Sequence, residues 1–286
     1  MILDNNFTTN YNYNIMFDMH LHTKYSSDSK ETLDNICKSA LEKGLKGIAF
    51  TDHATIYKYE ELGIYNNFTK CKEEIFRLKK KYEGKLTILF GAEISEAYAN
   101  PQAEQEILNL DGLDVVLCSI HDNMPIEHLG ADTFMRKNDF NKLPKEKTKQ
   151  ILKIYYDILK HTAKNNDYDV LAHLTYPFRY INCRDNANYD MFEFKSEFEE
   201  ILNTLIKRDK ALELNTSMSY TDFFMPNEEI LLLYKKLGGK LITIGSDAHT
   251  ANNVATGFDK AINLLKKCGF DTYYYYKNRK PIPVKI

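Results

Sequence analysis

No uninterrupted apolar run in this sequence approaches the roughly 18 residues of a bilayer span, so a helical membrane protein is not expected. The opening stretch MILDNNFTTNYNYN lacks a basic segment followed by an apolar one, and no secretory signal peptide is expected there. A C-x-x-C pair is also missing. The five cysteines (Cys37, Cys71, Cys118, Cys183 and Cys268) are odd in number and scattered, which argues against a disulfide framework and for reduced thiols in the cytoplasm. Charge of one sign is not in excess, with 38 Lys and Arg against 40 Asp and Glu. A general polyanion-binding surface is therefore not expected, nor a nucleic-acid partner. No linker, low-complexity tract, composition break or residue-level repeat divides the chain. Residues 1–286 are expected to form one domain, long enough to bury a sizeable core.

What is present is a rhythm of short apolar runs and longer helical segments. Strands are expected at 15–21, 46–52, 86–94, 114–120, 169–174, 211–216 and 240–247. Helices are expected at 30–44, around 66–82, from Pro101, over 145–164, and near 190–208, 226–237 and 252–267, where apolar residues recur at helical spacing. The strands are apolar almost throughout, as parallel strands covered on both faces are. The expected fold class is α/β, with seven β/α units closing into one barrel. The run YYYY at 273–276 reads as a packed C-terminal strand.

The ends of these strands carry the chemistry. In order they present His20 and His22, Asp52 and His53, Glu93, His121 and Asp122, His173, Asn215, then Asp247 and His249. Six of the eight histidines stand at a strand end, and only His128 and His161 do not. In a parallel β/α barrel the strand C-termini converge on one face, so these residues are expected to share one mouth. His20 and His22 point the same way because a strand has period two. Six imidazoles and three carboxylates meeting without a metal would bury several costly polar groups against one another. Imidazole and carboxylate without thiolate suit zinc, manganese or iron. Glu93 is suited to bridging two ions.

The motifs FDMHLHTKYSSD, GIAFTDH, GAEIS, SIHD, LAHL, ELNTS and GSDAH resemble those of the PHP superfamily (polymerase and histidinol phosphatase), and within it the histidinol-phosphatase branch. The resemblance runs from His20 to about Gly257. It implies a distorted seven-stranded (β/α)7 TIM-like barrel with two to three divalent ions at the strand C-termini. By the same resemblance His20, His22, Glu93 and Asp247 would hold one ion, with Glu93 bridging to a second held by His121 and His173. Asp28, His53 and His249 would hold a third. Asp28 stands where some family members have histidine.

The implied activity is a metal-dependent phosphomonoesterase, hydrolysing L-histidinol phosphate in histidine biosynthesis by attack of a metal-activated hydroxide on phosphorus. Glu93, Asp247 and His249 are the expected catalytic residues. The segment TYPFRYINCR offers Arg179 and Arg184 for bidentate contact with phosphate oxygens, and Asn215 could orient a ligand or cap its turn. Lys24 and Tyr25 could gate the site, and the 122–144 loop could act as a lid. Asp122 and Glu96 are candidate partners for a substrate amine or imidazole. The partner is thus a small phosphate monoester. The alternatives are a phosphatase of phosphotyrosine proteins, a nucleotide or oligonucleotide phosphoesterase, and a metal-binding protein without turnover.

Overall fold

The computed structural model describes residues 16–286; Ile15 and the MILDNNFTTNYNYN stretch lie outside the described residues. The elements run β1 (Phe17–Leu21), α1 (Leu33–Glu42), β2 (Gly47–Phe50), β3 (His53–Thr55), α2 (Ile64–Lys81), β4 (Thr87–Ser95), α3 (Pro101–Leu108) and β5 (Val115–Ser119). They continue with α4 (Lys145–Asn165), β6 (Val170–Leu171), the single turn α5 (Tyr176–Phe178), α6 (Lys195–Lys207), β7 (Ala211–Asn215), α7 (Glu228–Lys236), β8 (Ile242–Gly245) and α8 (Phe258–Lys267). A hairpin, β9 (Thr272–Lys277) and β10 (Lys280–Lys285), ends the chain.

Seven parallel strands pair in the order β1-β2-β4-β5-β6-β7-β8, and β3 adds alongside β4. The last neighbours nearly close the ring. Past the end of β8, Asp247 N donates to His20 O at 2.8 Å and His22 N donates to Ala248 O at 2.9 Å. All seven expected strands are present. The unforeseen β3 arises because the 46–52 run breaks after Phe50 and resumes at His53, in register with Glu93 of β4.

Local chemistry sets the helices. Thr32 caps α1 by accepting from Asn35 N, and Leu33, Ile36, Cys37 and Ala40 turn its buried stripe to the sheet. Asn100 caps α3, with Pro101 in the first turn. One continuous apolar core extends from Met16 to Val284. In it Phe90 of β4 meets Phe68 of α2 with ring centroids 6.4 Å apart. Phe90→Ala is expected to cost about 3–5 kcal/mol, read as a lowered midpoint in urea unfolding.

The C-terminal hairpin seals the opposite end of the barrel from the strand C-termini. Tyr273 Oη accepts from Phe17 N at 2.9 Å, where β1 begins. Arg279 N donates to Asp114 O at 2.9 Å and the Arg279 guanidinium pairs with Asp169, both just before strands. The 273–276 tyrosines are thus strand residues of this floor, with Tyr273 and Tyr276 buried. Among the described residues no helix is long and apolar enough to cross a membrane.

Candidate metal centre and active-site cavity

Glu93 is the hub of the other mouth. It lies in β4, fully buried. Its Oε1 is 2.9 Å from His173 Nε2 and 3.2 Å from His121 Nε2. Its Oε2 is 2.7 Å from His53 Nδ1, 3.4 Å from His20 Nε2 and 3.5 Å from His22 Nε2. Asp247 Oδ1, delivered just past β8, stands 3.2 Å from His22 Nε2 and 3.8 Å from His20 Nε2. In the loop after β1, Asp28 Oδ2 is 3.4 Å from both His53 Nε2 and His249 Nε2. All nine residues singled out as metal candidates are therefore brought together from six places along the sheet.

Hydrogen bonds on the far side aim several of these rings inward. Ser26 Oγ donates to Asp52 Oδ1 at 2.6 Å, so it accepts from His22 Nδ1 at 3.1 Å and leaves the lone pair of His22 on Nε2. Asp52 itself is buried and accepts from Thr23 N and Thr23 Oγ1. His249 Nδ1 donates to Asp247 O at 2.9 Å, which frees its Nε2. Asp18 accepts from Ser246 N, Ser246 Oγ and Ala255 N, tying the β8 loop to β1.

The electrostatics fit a cation-binding centre. His20 Nε2 and His22 Nε2 are buried with no hydrogen-bond partner. Inward acceptors left unpaired in this way are costly unless a positive charge sits among them. Burial by itself would raise the pKa of Glu93, but the neighbouring charges of His121, His20 and His53 hold it well below the usual carboxylate range. Burial, with repulsion from His53 and His249, keeps His22 well below its ordinary value and hence neutral, the ligating form. His20 is pulled well above its ordinary value: burial opposes the shift, and Glu213, Glu93 and Asp247 outweigh it. A cation would take the place of that proton. His/Asp/Glu groups with ligand atoms within 4.8 Å of one another include His20, His22 and Asp247, and separately His53, Glu93 and His121.

A cavity of about 430 Å³ opens above this cluster, floored by Asp28, His53, His121, Asp247 and His249. Arg179 lines it, its Nη1 3.9 Å from Asp247 Oδ2 and its guanidinium over the Tyr176 and Tyr180 rings at 5.5 Å each. Lys58 and Arg136 add positive charge, while Glu96 and Asp122 also line the wall. Burial raises the pKa of Asp122, with the charges of His121, Arg136 and Lys58 working against the rise.

Three expectations are corrected here. Arg184 does not reach the cavity. It lies in the π-helical turn Arg179–Arg184, pairs with Asp185 Oδ1 at 2.6 Å and donates to the carbonyls of Arg136 and Asn138, so it clamps the 122–144 loop. Asn215 is fully buried below the cavity: its Oδ1 accepts from Ser217 N and its Nδ2 faces Asp247 Oδ2 at 3.4 Å, so it caps its turn and supports Asp247. Lys24 and Tyr25 bind Glu74 of α2, at 2.8 Å and 2.9 Å, rather than gating the mouth. The 122–144 loop is packed by buried Met124, Ile126, Met135 and Phe140, and brings Asp122, Phe134 and Arg136 to the wall.

Ser26, Tyr176 and above all Glu213, a lone charge inside the apolar β7, join the site without belonging to the expected set. That charge was the signal: ionised side chains are almost never fully buried unless paired.

A family model for the PHP domain matches residues 18–217. The chain belongs to the PHP domain family. This PHP chain is 32% identical over 276 residues to a probable histidinol-phosphatase of Thermotoga maritima, a match covering 95% of this chain and 100% of that protein. It is 29% identical to a histidinol-phosphatase of Lactococcus lactis, with 88% and 91% covered. The crystal structure of the histidinol phosphate phosphatase from Lactococcus lactis, complexed with zinc, L-histidinol and phosphate, superposes with a TM-score of 0.72 at 26% identity, covering 94% of this chain and 99% of that one. These matches put the PHP chain in the histidinol-phosphatase branch, and its barrel is the distorted one that the branch implies.

Proposed function

We propose that the chain, taken whole as one domain, is a metal-dependent phosphomonoesterase that hydrolyses L-histidinol phosphate to L-histidinol and phosphate. The observation that carries this reading is the convergence of eight imidazole and carboxylate side chains around Glu93 beneath an arginine-lined cavity of about 430 Å³. That volume suits a small metabolite. The superposed Lactococcus lactis enzyme, with its zinc, histidinol and phosphate, supports the substrate.

Two to three zinc, manganese or iron ions fit the donor set. His20, His22, Glu93 and Asp247 would hold one, Glu93, His121 and His173 a second, and Asp28, His53 and His249 a third. Such ions, when bound, lower the pKa of water and neutralise phosphoryl charge. Arg179 grips phosphate oxygens and orients phosphorus for in-line attack, its guanidinium 5.5 Å from each of two tyrosine ring centroids. Asp247 Oδ2 faces Arg179 and accepts from Asn215 Nδ2 at the edge of the cavity, and is placed to orient the attacking water. His249 is fixed by its Nδ1 bond to Asp247 O, and its Nε2 faces Asp28 where the third ion would sit, so its role is to hold rather than to shuttle. Glu96 and Asp122 offer acceptors to the amine and imidazole of the substrate.

The test is steady-state phosphate release by the protein loaded with manganese, zinc or iron. Histidinol phosphate, a phosphotyrosine peptide, nucleoside monophosphates and a short oligonucleotide form the panel. The expected kcat/KM for histidinol phosphate lies within about 10⁴–10⁸ M⁻¹s⁻¹ and well above the rest. A flat profile would remove the substrate from the reading, and no release at all would remove the enzyme.

A further inference from the structure

We propose that Glu213 is a positioning residue that fixes the ring tautomer of His20, and so aims the lone pair of His20 at the centre of the site. The inference rests on reading that site as a metal centre. Glu213 stands mid-strand in β7, 1% exposed. Among the described residues no lysine or arginine pairs with it; its ion-pair partner is His20. Its Oε1 lies 2.6 Å from His20 Nδ1. Its Oε2 accepts from His173 N at 2.8 Å and from Asn215 Nδ2 at 3.2 Å.

An ionised carboxylate has no hydrogen to give, so the proton between Glu213 and His20 belongs to Nδ1. The lone pair of a neutral His20 then lies on Nε2, which faces Glu93 and Asp247. The other oxygen of Glu213 holds the backbone of His173, a non-glycine residue at φ +25°. One buried carboxylate thereby orients the His20 ring and holds the His173 backbone, at two strand ends that the ion sets do not share. The fold reserves room for it. A Cβ on Gly245 of the adjoining β8 would overlap both Glu213 Oε1 and His20 Cβ.

Glutamine at 213 separates a steric role from a tautomeric one. It has nearly the same shape, and His173 N–H still demands an acceptor, so the amide oxygen stays on that side. The NH2 group then faces His20 Nδ1 as a donor. Nδ1 must accept, the proton moves to Nε2, and the ring presents N–H where a lone pair is required. An amide in place of the carboxylate behind a catalytic histidine has this effect in the serine-protease triad, with the geometry intact and the tautomer wrong. Aspartate at 213 keeps the acceptor at the cost of one methylene of reach. A role in shape alone favours glutamine over aspartate; a role in the tautomer favours aspartate over glutamine.

The experiment uses wild type, Glu213→Gln and Glu213→Asp, stripped by a chelator, checked for fold by circular dichroism and titrated with cobalt(II). Affinity and d–d absorption are the readouts. Glu213→Gln should weaken cobalt binding by about 10–100-fold and alter the spectrum, with Glu213→Asp between it and wild type. Equal affinity and spectra in wild type and Glu213→Gln overturn the proposal and leave the metal centre standing, and so does Glu213→Asp binding more weakly than Glu213→Gln. A wild type that binds no cobalt overturns both. Should Glu213→Gln fail to fold, long-range ¹H–¹⁵N spectra of the zinc-loaded wild type decide: a proton on His20 Nδ1 is expected, and a proton on Nε2 overturns the proposal.

Discussion

Replacing Glu93 with glutamine should lower kcat/KM for phosphate release by more than about 10³-fold while leaving the barrel folded. Both oxygens of Glu93 are used, Oε1 toward His121 and His173 and Oε2 toward His20, His22 and His53. Glutamine keeps one acceptor and turns the other into a donor aimed at nitrogens that need to offer lone pairs. If Glu93 bridges two ions, the variant loses several kcal/mol of charge stabilisation at phosphorus, and each 1.36 kcal/mol is about tenfold in rate. Phosphate-release kinetics and metal analysis of the same sample make the check, with near-UV circular dichroism as the control for fold. Activity within about tenfold of wild type, at full metal content, would remove Glu93 from the centre of the mechanism.

Arg179→Met should lower kcat/KM by about 10²–10³-fold, the usual loss when one positioned donor to a developing oxyanion is removed. Methionine retains length and apolar contact beside the Tyr176 and Tyr180 rings, so the loss reports on charge and hydrogen bonding. Because the guanidinium would grip phosphate before and during the transition state, inhibition by inorganic phosphate should weaken as well. Arg184→Met is the internal contrast: it removes a clamp on the 136–138 backbone, so it should lower the unfolding midpoint and leave phosphate inhibition unchanged. The opposite pattern, with Arg184 controlling phosphate affinity, would show that the loop rearranges around the substrate.

Much of this architecture is legible in the sequence because the physics is local. Parallel strands buried on both faces must be apolar along their length, so the runs at 46–52, 86–94 and 240–247 stand out among amphipathic helices. His20 and His22 share a face by strand periodicity, and barrel topology brings the other strand ends beside them. What was not legible depends on direction. Arg179 and Arg184 are five residues apart in one loop, and only the π-helical turn sends one into the cavity and the other away from it. The antiparallel partner of the tyrosine strand was hidden because Pro281 and Pro283 mark KPIPVK as a poor strand, tolerated here at a sheet edge. Glu213 was hidden in a different way. A single charge in ALELNT shows no spacing, and its meaning comes from His20, which lies 193 residues away in sequence.

The proposed reaction depends on the strand ends forming one multi-ion centre bridged by Glu93. Anomalous diffraction from crystals of the zinc-loaded protein, measured on both sides of the zinc absorption edge, would locate those ions. Peaks are expected on either side of the Glu93 carboxylate, one enclosed by His20, His22 and Asp247 and one by His121 and His173, with any third peak among Asp28, His53 and His249. A single peak that Glu93 does not touch, or none within the cluster, would contradict that bridged centre.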